Sequence, residues 1–230
     1  MANNEKLDFS TVLATAVHDM KNSLSMLTQT TESLARESSA LGLSNSDQLS
    51  RLHYEVNRVN GSLMQLLALY RYDKQQMTLS IEEVLLDDLL VDLASNHQGL
   101  VGSLGKTLEI DVDPDLTWYC DPILLEYLLN DIVANGLRYC RNQIKLSAQI
   151  VDNKLSISVS DDGDGYPDSI IELANSEDAV TAQFLQNRSG LGLYFAKIIA
   201  SAHTNNGDQG KVSLANGGEL GGSVFSLCLP

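Results

Sequence analysis

Apolar residues recur at alternating spacings of four and three along two stretches of the first 70 residues. The first series is Phe9, Leu13, Ala16, Met20, Leu24, Leu27, Thr31 and Leu34. The second series is Leu49, Leu52, Val56, Val59, Leu63, Leu66 and Tyr70. This spacing places each series along one side of a helix, as in the seam of a coiled coil. The pattern therefore predicts two long helices, separated by a loop at residues 41–46 with Ser46 as the cap of the second helix.

Two such helices joined by a short loop form an antiparallel helical hairpin. One hairpin cannot bury two seams well, whereas two hairpins make a four-helix bundle. We therefore expect a homodimer held together by a dimeric four-helix bundle. The alternative is an intramolecular coiled coil that packs on the rest of the chain.

A polar stretch at residues 73–76 marks the predicted boundary between a first domain, residues 1–75, and a second, residues 76–230. In the second domain, helical and alternating patterns are mixed. The predicted helices are 82–98, 122–139 and 191–202, and the predicted strands are 107–112, 144–151, 155–160, 212–214 and 224–229. Asp121-Pro122 opens the second of these helices, and Asp152-Asn153 forms a hairpin turn. The fold class is α+β, with the second domain an α/β sandwich built on a mixed sheet.

The charge of the chain argues against nucleic acid as a partner. The net charge is −15, and nucleic acid requires a basic surface. Residues 1–75 carry 7 basic and 8 acidic residues, whereas residues 76–230 carry 8 and 22. No apolar run is long enough to span a membrane and no secretory signal is present, so we expect a cytoplasmic protein. The three cysteines form no CxxC pair and are expected to be reduced thiols.

The sequence His18-Asp19-Met20-Lys21-Asn22 lies in the middle of the first helical series. His18 falls outside the apolar seam and is expected to face solvent. Asp19 can accept the ring proton, which makes the other nitrogen a better nucleophile. Asn22 lies one turn later on the same face, where an amide can orient a water. An ordinary solvated helix surface is the alternative.

Two glycine-rich segments and one asparagine stand out in the second domain. Asp161-Asp162-Gly163-Asp164-Gly165 follows a predicted strand, and its glycines would let the backbone approach a flat ligand. Gly190-Leu191-Gly192-Leu193 opens a helix, whose free amides favour phosphate. Asn135, followed by Arg138 and Tyr139, lies near the end of the helix that starts after Asp121. Each has an ordinary structural alternative. The first segment is then a turn, the second is the start of a helix, and Asn135 is part of a polar helix face.

The first domain resembles the dimerisation and phosphotransfer domain of two-component sensor histidine kinases. The family signature has a histidine, an acid, and an asparagine or threonine at i+4, followed by an apolar residue such as Leu24; Ser23 stands where a proline is usual. The resemblance implies that His18 accepts the phosphoryl group. It also implies that Asp19 assists autophosphorylation and that Asn22 supports dephosphorylation of the partner.

The second domain resembles the catalytic domain of histidine kinases, with the Bergerat ATP-binding fold. The matching segments are Asn135-Gly136-Leu137-Arg138-Tyr139 for the N-box, Asp161, Gly163 and Gly165 for the G1 box, Gly190-Leu191-Gly192-Leu193 for the G2 box, and Gly222-Ser223-Val224-Phe225 for the last strand. Each motif is of modest specificity, but four in the correct order are a strong signal. The resemblance extends from about Phe9 to Pro230.

The resemblance implies a role for each matching residue. Asn135 would hold Mg²⁺, Arg138 would touch the phosphates of ATP, and Tyr139 would pack near the base or sugar. Asp161 would bind the adenine amine. Gly190 and Gly192, with Leu191 between them in the same cofactor-binding motif, would let the lid helix approach the phosphate tail. Residues 166–188 would form the ATP lid, with Phe184 as its hydrophobic anchor or as part of the core.

Two departures from the family pattern bear on the site. Asp131 stands four residues before Asn135, where the family often has a second asparagine, and it could be a second ligand of the metal, a base or a helix-surface acid. Arg188 replaces the first glycine of the G2 run, where it could stiffen the lid or contact phosphate.

The implied function is ATP-dependent autophosphorylation of His18, followed by transfer to an aspartate of a response-regulator receiver domain. Because only about eight residues precede the first helix, the input is expected from a separate sensor protein in trans, the alternative being that the chain is a fragment. Haem-based gas sensors serve some kinases of this kind. The alternatives are a histidine phosphotransferase or a dimeric scaffold with a degenerate ATP pocket, and an ATPase or serine kinase of the same fold.

Overall fold

The computed structural model describes residues 20, 22–31, 33–34, 37–38, 46–176 and 190–230. The chain divides into two compact units, Met1–Tyr70 and Arg71–Pro230. Several predictions lie outside the described residues: the start of the first helix, the loop at 41–45, the Ser46 cap, His18, Asp19, and the lid residues from 177 onward with Phe184 and Arg188. No helix in the described part of the chain is both long and apolar enough to cross a membrane.

The first unit is helical throughout its described residues, as the two apolar series predict. Residues 20, 22–31, 33–34 and 37–38 are helical, and helix α1 spans Ser46–Asp73. The Thr28 hydroxyl lies 3.4 Å from Asn57 Oδ1, so the earlier helical residues contact α1. The hydroxyls of Thr28, Thr30 and Thr31 also bond to carbonyls in the preceding turn of their own helix.

One heptad position on each helical segment is exposed, and the described side chains at the alternate position are buried or half-buried. The exposed residues are 46–54% accessible and recur every seventh position: Met20, Leu27 and Leu34, then Leu52, Val59 and Leu66. Thr31 and Val56, at the alternate position, are buried. Half of each predicted seam is therefore packed within one chain, and the other half is left open.

The second unit contains nine strands and four helices within its described residues. The strands are β1 (Glu82–Leu85), β2 (Thr107–Val112), β3 (Thr117–Cys120), β4 (Gln143–Val151), β5 (Lys154–Asp161), β6 (Thr204–Asn205), β7 (Asp208–Gln209), β8 (Lys211–Asn216) and β9 (Ser223–Leu229). The helices are α2 (Leu86–Leu104), α3 (Pro122–Tyr139), α4 (Asp168–Asn175) and α5 (Gly190–Ala202).

Five strands form a mixed sheet in the order β2-β4-β5-β9-β8, which confirms the predicted fold class of this unit. Only the β2–β4 pair is parallel. Asp152 and Asn153 both have positive φ, 51° and 59°, and form the predicted hairpin turn between β4 and β5. Helix α3 begins as predicted, with the Asp121 carboxylate accepting the amide of Leu124 at 3.0 Å.

Alternate residues of the central strands point into a core that the helices cover on one face. In β4 the buried residues are Ile144, Leu146 and Ala148, and in β5 they are Leu155, Ile157 and Val159. The covering residues include Leu90, Leu125, Leu129, Val133, Phe195 and Ile199. The opposite face carries small polar side chains: Ser147, Ser158, Ser226 and Ser213 stand side by side on four neighbouring strands.

The prediction of a helix at 82–98 was wrong at its start. Residues 82–85 form β1, and the helix occupies Leu86–Leu104 instead. Strand β1 pairs antiparallel with β3, from Glu82 opposite Cys120 to Leu85 opposite Thr117. The pairing partner lies more than 30 residues away, so local periodicity could not distinguish this strand from the first turn of a helix.

The sequence patterns also missed β3, the short β6–β7 hairpin and helix α4. Helix α4 lies within the predicted lid and is anchored to β8 through Asn175. The Asn175 side chain accepts the amide of Leu214 at 3.1 Å and donates to its carbonyl at 3.0 Å. Lys197 of α5 donates to the carbonyls of Leu173 and Ser176, which close the last turn of α4.

Candidate functional site

The carboxylate of Asp161 lies at the end of β5, in the interior of the second unit. Its side chain is only 4% exposed. Oδ1 accepts the backbone amides of Gly163 at 2.7 Å and Ser223 at 3.2 Å. Oδ2 accepts the hydroxyl of Ser223. A buried carboxylate is tolerated only when donors satisfy it, so this residue is held in one orientation by its own turn and by the neighbouring strand β9.

Glycines surround Asp161 because the backbone comes too close for side chains. A Cβ on Gly163 would lie 2.6 Å from the carbonyl of Tyr139 and 2.9 Å from Asp161 Oδ1. A Cβ on Gly222 would lie 2.5 Å from the amide of Gly163. Gly165 has a φ of 84°, which favours glycine. The predicted turn is thus packed against the end of α3 and against β9.

Asp162 fastens the other side of the same turn. Its carboxylate accepts the backbone amides of Arg141, Asn142 and Gln143 at 2.8–3.1 Å. Burial alone would raise the pKa of Asp162, but these hydrogen bonds outweigh it and lower the pKa to about 2. Arg141 also pairs with Asp164 at 2.5 Å, although both side chains are largely exposed and such pairs contribute little. The hydrogen bonds of Asp162 therefore hold the turn after β5 against the segment that follows α3.

The second half of α3 brings two polar residues to the start of α5. Asp131 and Asn135 lie one turn apart, with Asn135 Nδ2 3.5 Å from Asp131 Oδ2. A Cβ on Gly192 would overlap Asp131 Oδ2, so the first turn of α5 lies directly against this carboxylate. Within α3, Gly136 lets Ile144 of β4 approach, since a Cβ there would lie 2.5 Å from Ile144 Cδ1.

The remaining predicted nucleotide-binding residues lie around the same helix end. Arg138 and Tyr139 are exposed, and the Tyr139 carbonyl contacts Gly163 as described above. Gly190 starts α5, and Leu191 is half-buried. Asp161, Gly163, Gly165, Asp131, Asn135 and Gly192 come from three separate segments, and the structure joins these segments around the C-terminal half of α3.

The predicted phosphotransfer residues are described only in part. Asn22 is exposed in the first helical segment, as predicted for a residue outside the seam. His18 and Asp19 lie outside the described residues, so their geometry with Asn22 stays a prediction.

Sequence reasoning missed three residues that hold the Asp161 turn. Ser223 was noted within the last-strand motif but was assigned no role, and it bonds Asp161 twice. Asn216 bonds the backbone of Tyr166 on both sides, at 2.6 and 2.8 Å. The signal that could have indicated Ser223 is its position after the glycine pair of the last strand. Asn216 and Tyr166 carry no local signal.

His203 is also a structural residue that periodicity did not identify. It is buried, its Nε2 accepts the amide of Asp121 at 3.0 Å, and its Nδ1 donates to the Ile199 carbonyl at 2.8 Å. Asp121 in turn accepts the amide of Ser80 at 2.9 Å. Burial lowers the pKa of His203, so its ring is neutral at pH 7. The end of α5 is thus tied to the start of α3.

Oxygen donors suited to Mg²⁺ are present at Asp131 and Asn135. Mg²⁺ prefers carboxylate and amide oxygens, takes few protein ligands, and completes its shell with water and phosphate oxygens. Among the described residues no cluster of three or more His, Cys, Asp or Glu side chains forms a full ligand set. The pair on α3 therefore offers two oxygen ligands of the kind that Mg²⁺ takes from a protein.

A groove of about 610 Å³ lies elsewhere, on the open face of the sheet. Its walls include Lys145, which bridges Asp111 and Glu219 at 2.9 Å each, and the paired hydroxyls of Ser147 and Ser158. Of the described motif residues, Val224 of the last strand lines this groove, but none of the residues predicted to bind ATP or Mg²⁺ does.

Comparison with known proteins assigns a family to this arrangement. Residues 120–230 match the family described as Histidine kinase-, DNA gyrase B-, and HSP90-like ATPase. The sensor histidine kinase CpxA of Escherichia coli (strain K12) is 28% identical over 156 residues, which cover 67% of this chain and 33% of CpxA. The signal transduction histidine-protein kinase AfsQ2 of Streptomyces coelicolor is 25% identical over 227 residues, which cover 93% of this chain and 40% of AfsQ2.

Solved structures share the fold. The Acinetobacter baumannii histidine kinase AdeS has a TM-score of 0.59 at 19% identity, with 87% of this chain and 95% of AdeS covered. Full-length ShkA, solved in complex with AMPPNP, has a TM-score of 0.62 at 20% identity, with 96% of this chain and 45% of ShkA covered. Of the curated relatives CpxA and AfsQ2, by contrast, the chain spans well under half the length. Residues 120–230 belong to the histidine kinase-, DNA gyrase B- and HSP90-like ATPase family, and the chain is a homologue of sensor histidine kinases.

Proposed function

We propose that this protein is an ATP-dependent histidine kinase that phosphorylates His18 and passes the phosphoryl group to an aspartate of a response-regulator receiver domain. One observation carries the proposal: the buried carboxylate of Asp161, the polar pair on α3 and the first turn of α5 meet around one helix end. That meeting point offers an acceptor for a base, oxygen ligands for a metal, and helix amides for phosphate.

Each part of this site has a proposed task in binding Mg-ATP. Asp161 accepts the exocyclic amine of adenine, and Tyr139, which is exposed at the end of α3, packs near the base or sugar. Arg138 and the first turn of α5, from Gly190 through Leu191 to Gly192, face the phosphates. Asp131 and Asn135 would hold Mg²⁺, which when bound neutralises charge on the phosphate oxygens.

The proposed reaction is a transfer of the γ-phosphoryl group. The bond from the γ-phosphorus to its bridging oxygen breaks, and a bond to a ring nitrogen of His18 forms. Asp19 accepts the ring proton, and ADP leaves. In the second step the phosphorus–nitrogen bond breaks as a carboxylate oxygen of the receiver domain attacks. Asn22 orients the water that later hydrolyses the receiver's phosphoryl group. Catalysis rests on positioning and charge neutralisation.

A homodimer is the proposed assembly. The exposed residues that recur every seventh position on both helical segments leave an apolar surface that a second copy would cover. Signal input is proposed to come from a separate sensor protein in trans. This last proposal is tested by adding candidate sensors to a phosphorylation assay with a purified receiver domain.

The test of the kinase proposal is incubation with γ-labelled ATP and Mg²⁺. Base-stable, acid-labile label is expected on the wild type and on His53→Ala, and none on His18→Ala. Label that persists in His18→Ala would contradict the proposal. Absence of both label and nucleotide binding would favour a phosphotransferase or scaffold with a degenerate pocket.

A further inference from the structure

The side chain of Asn216, the last residue of β8, pairs with the backbone of Tyr166 on both sides. Its Oδ1 accepts the Tyr166 amide at 2.6 Å, and its Nδ2 donates to the Tyr166 carbonyl at 2.8 Å. A carboxamide offers one acceptor and one donor side by side, as a peptide unit offers them to a neighbouring strand. Asn216 therefore holds Tyr166 as an adjacent strand would, although Tyr166 itself lies outside any strand.

Tyr166 directly follows the glycine turn after β5. Gly165, just before it, has a φ of 84° and lies against Asn216, since a Cβ there would be 2.6 Å from Asn216 Oδ1. At the other end of the turn, Asp161 Oδ1 accepts the Gly163 amide at 2.7 Å. The turn is thus fastened at its start by Asp161 and at its end by Asn216.

A second asparagine makes the same kind of link to the same strand. Asn175, at the end of α4, accepts the Leu214 amide at 3.1 Å and donates to the Leu214 carbonyl at 3.0 Å. Leu214 lies two residues before Asn216 on β8, which is the outer strand of the five-stranded sheet. The segment from Tyr166 to Asn175 is therefore attached to β8 at both of its ends, and Asn216 determines where it begins.

We propose that Asn216 is a positioning residue for nucleotide binding, which acts by fixing the end of the glycine turn. The inference rests on the proposed ATP site, in which this turn follows Asp161 and its backbone approaches the base. Two of the three residues at 163–165 are glycines, which lose more conformational freedom than other residues when they are fixed. A turn that is already ordered in the free protein binds more tightly than one that the ligand must order. Without Asn216, part of the binding free energy of the nucleotide is consumed in ordering the turn.

The first test measures binding of Mg-ATP to Asn216→Ala by titration calorimetry. The substitution removes both hydrogen bonds to Tyr166 and leaves in place the residues that are proposed to contact ATP. Affinity is expected to fall by about threefold to tenfold. Asn130→Ala is the matched control, because it also removes an amide that forms a hydrogen bond, 3.0 Å from His97 Nε2 between α2 and α3. The control should keep the wild-type affinity, and an equal loss in both variants would overturn the inference.

Hydrogen exchange in the nucleotide-free protein distinguishes positioning from a purely structural role. The Gly163 amide is buried and bonded to Asp161, at the opposite end of the turn from Asn216. The Ile157 amide, in the middle of β5, reports the stability of the whole sheet. In Asn216→Ala, exchange at Gly163 is expected to accelerate by about tenfold more than at Ile157, and Mg-ATP should restore the protection. In Asn130→Ala the two amides should accelerate alike.

The outcomes separate this inference from the proposed ATP site. Acceleration at Gly163 that is no greater than at Ile157, with Mg-ATP binding intact, would overturn the inference alone, as would a wild-type affinity in Asn216→Ala. If Asn216→Ala does not fold, Asn216→Asp tests the same link, because a carboxylate accepts the Tyr166 amide but cannot donate to its carbonyl. Both measurements should then change in the same direction. A wild type that does not bind Mg-ATP would overturn the proposed ATP site and the inference with it.

Discussion

Asp161 shows how a single buried side chain organises its surroundings. Its two oxygens accept three hydrogen bonds, from Gly163 and from the amide and hydroxyl of Ser223. The neighbouring Asp162 performs a different task, because it binds three successive amides at the start of β4. Of these two adjacent aspartates, the buried Asp161 therefore binds its own turn and β9, whereas Asp162 attaches the turn to the start of β4.

We predict that Asp161→Asn lowers affinity for Mg-ATP by about tenfold to a hundredfold, because a charge-assisted hydrogen bond to the base is lost. An asparagine amide would also face donors on Gly163 or Ser223, where it has no lone pair to offer. Titration calorimetry measures the affinity, and circular dichroism checks the fold. Asp164→Asn is the matched control, since that side chain is 90% exposed in the same turn. Equal loss in both variants would contradict the assignment.

His203 gives the second unit a predictable response to pH. Burial lowers its pKa below the ordinary 6.5, so at acidic pH the unfolded chain binds a proton that the folded chain resists. Stability should therefore fall as the pH drops through 6.5. We predict that His203→Gln loses less stability than the wild type between pH 7 and pH 5. At pH 7 the substitution should lower the free energy of unfolding by about 1–3 kcal/mol, because the hydrogen bond from the Asp121 amide is disturbed.

Urea unfolding at several pH values measures this response. Burial also lowers the pKa of His97, despite its hydrogen bond to Asn130. Any loss of stability at acidic pH that remains in His203→Gln is therefore expected to come in part from His97. If the free energy of unfolding of His203→Gln fell with pH as steeply as that of the wild type, His203 would be shown to titrate normally.

At the scale of elements, the site depends on how closely α5 approaches α3. The approach is possible because Gly192 has no side chain where Asp131 lies. Helix α4 is attached to the same region from the other side, because Lys197 of α5 caps its last turn. The helices that flank residues 177–189 are therefore both anchored to the body of the second unit.

We predict that Gly192→Ala lowers affinity for Mg-ATP by about tenfold, because its Cβ would overlap Asp131 Oδ2 and displace either the helix or the carboxylate. Gly102→Ala is the control, since a Cβ at that exposed position of α2 meets nothing within 4 Å. Helix propensity should make the control more stable by about 0.5–1 kcal/mol. Thermal unfolding and calorimetry separate the two effects. If Gly192→Ala kept the wild-type affinity for Mg-ATP, the result would contradict this prediction, because Asp131 could then move aside without effect on binding.

At the scale of the whole molecule, the two units have different surfaces. The first leaves one heptad position of each helical segment open at six residues. The second carries most of the negative charge and buries its apolar residues under its own helices. Assembly is therefore expected through the first unit, and nucleotide binding through the second.

We predict that Leu66→Asp shifts the protein from dimer to monomer, because it places a charge in the apolar surface that a second copy would cover. Light scattering after size exclusion measures the mass, and a rise of the dissociation constant by about a hundredfold is expected. Ser62→Asp, on an exposed position of the same helix, should stay dimeric. Mg-ATP affinity should be unchanged in both variants. A monomeric wild type would contradict the proposed assembly.

Local patterns were sufficient for the elements whose signals are local. Asp121-Pro122 predicted the start of α3 because a cap and a proline act within one turn, and Asp152-Asn153 predicted the hairpin because both residues tolerate positive φ. Periodicity failed at residues 82–85 and at β3. Each of these strands exists only because the other provides its hydrogen bonds, across more than 30 residues.

For the candidate site, the sequence by itself determined which residue types are available and in which order. It located Asp161, Asn135 and the glycines of the two turns, because their chemistry and spacing are local properties. Only the tertiary structure decided that Ser223 and Asn216 converge on Asp161 and its turn, and that Gly192 lies against Asp131. These contacts join residues that are 50 or more positions apart along the chain, and no local pattern encodes them. They arise because strand pairing and helix packing bring distant backbone segments to one place.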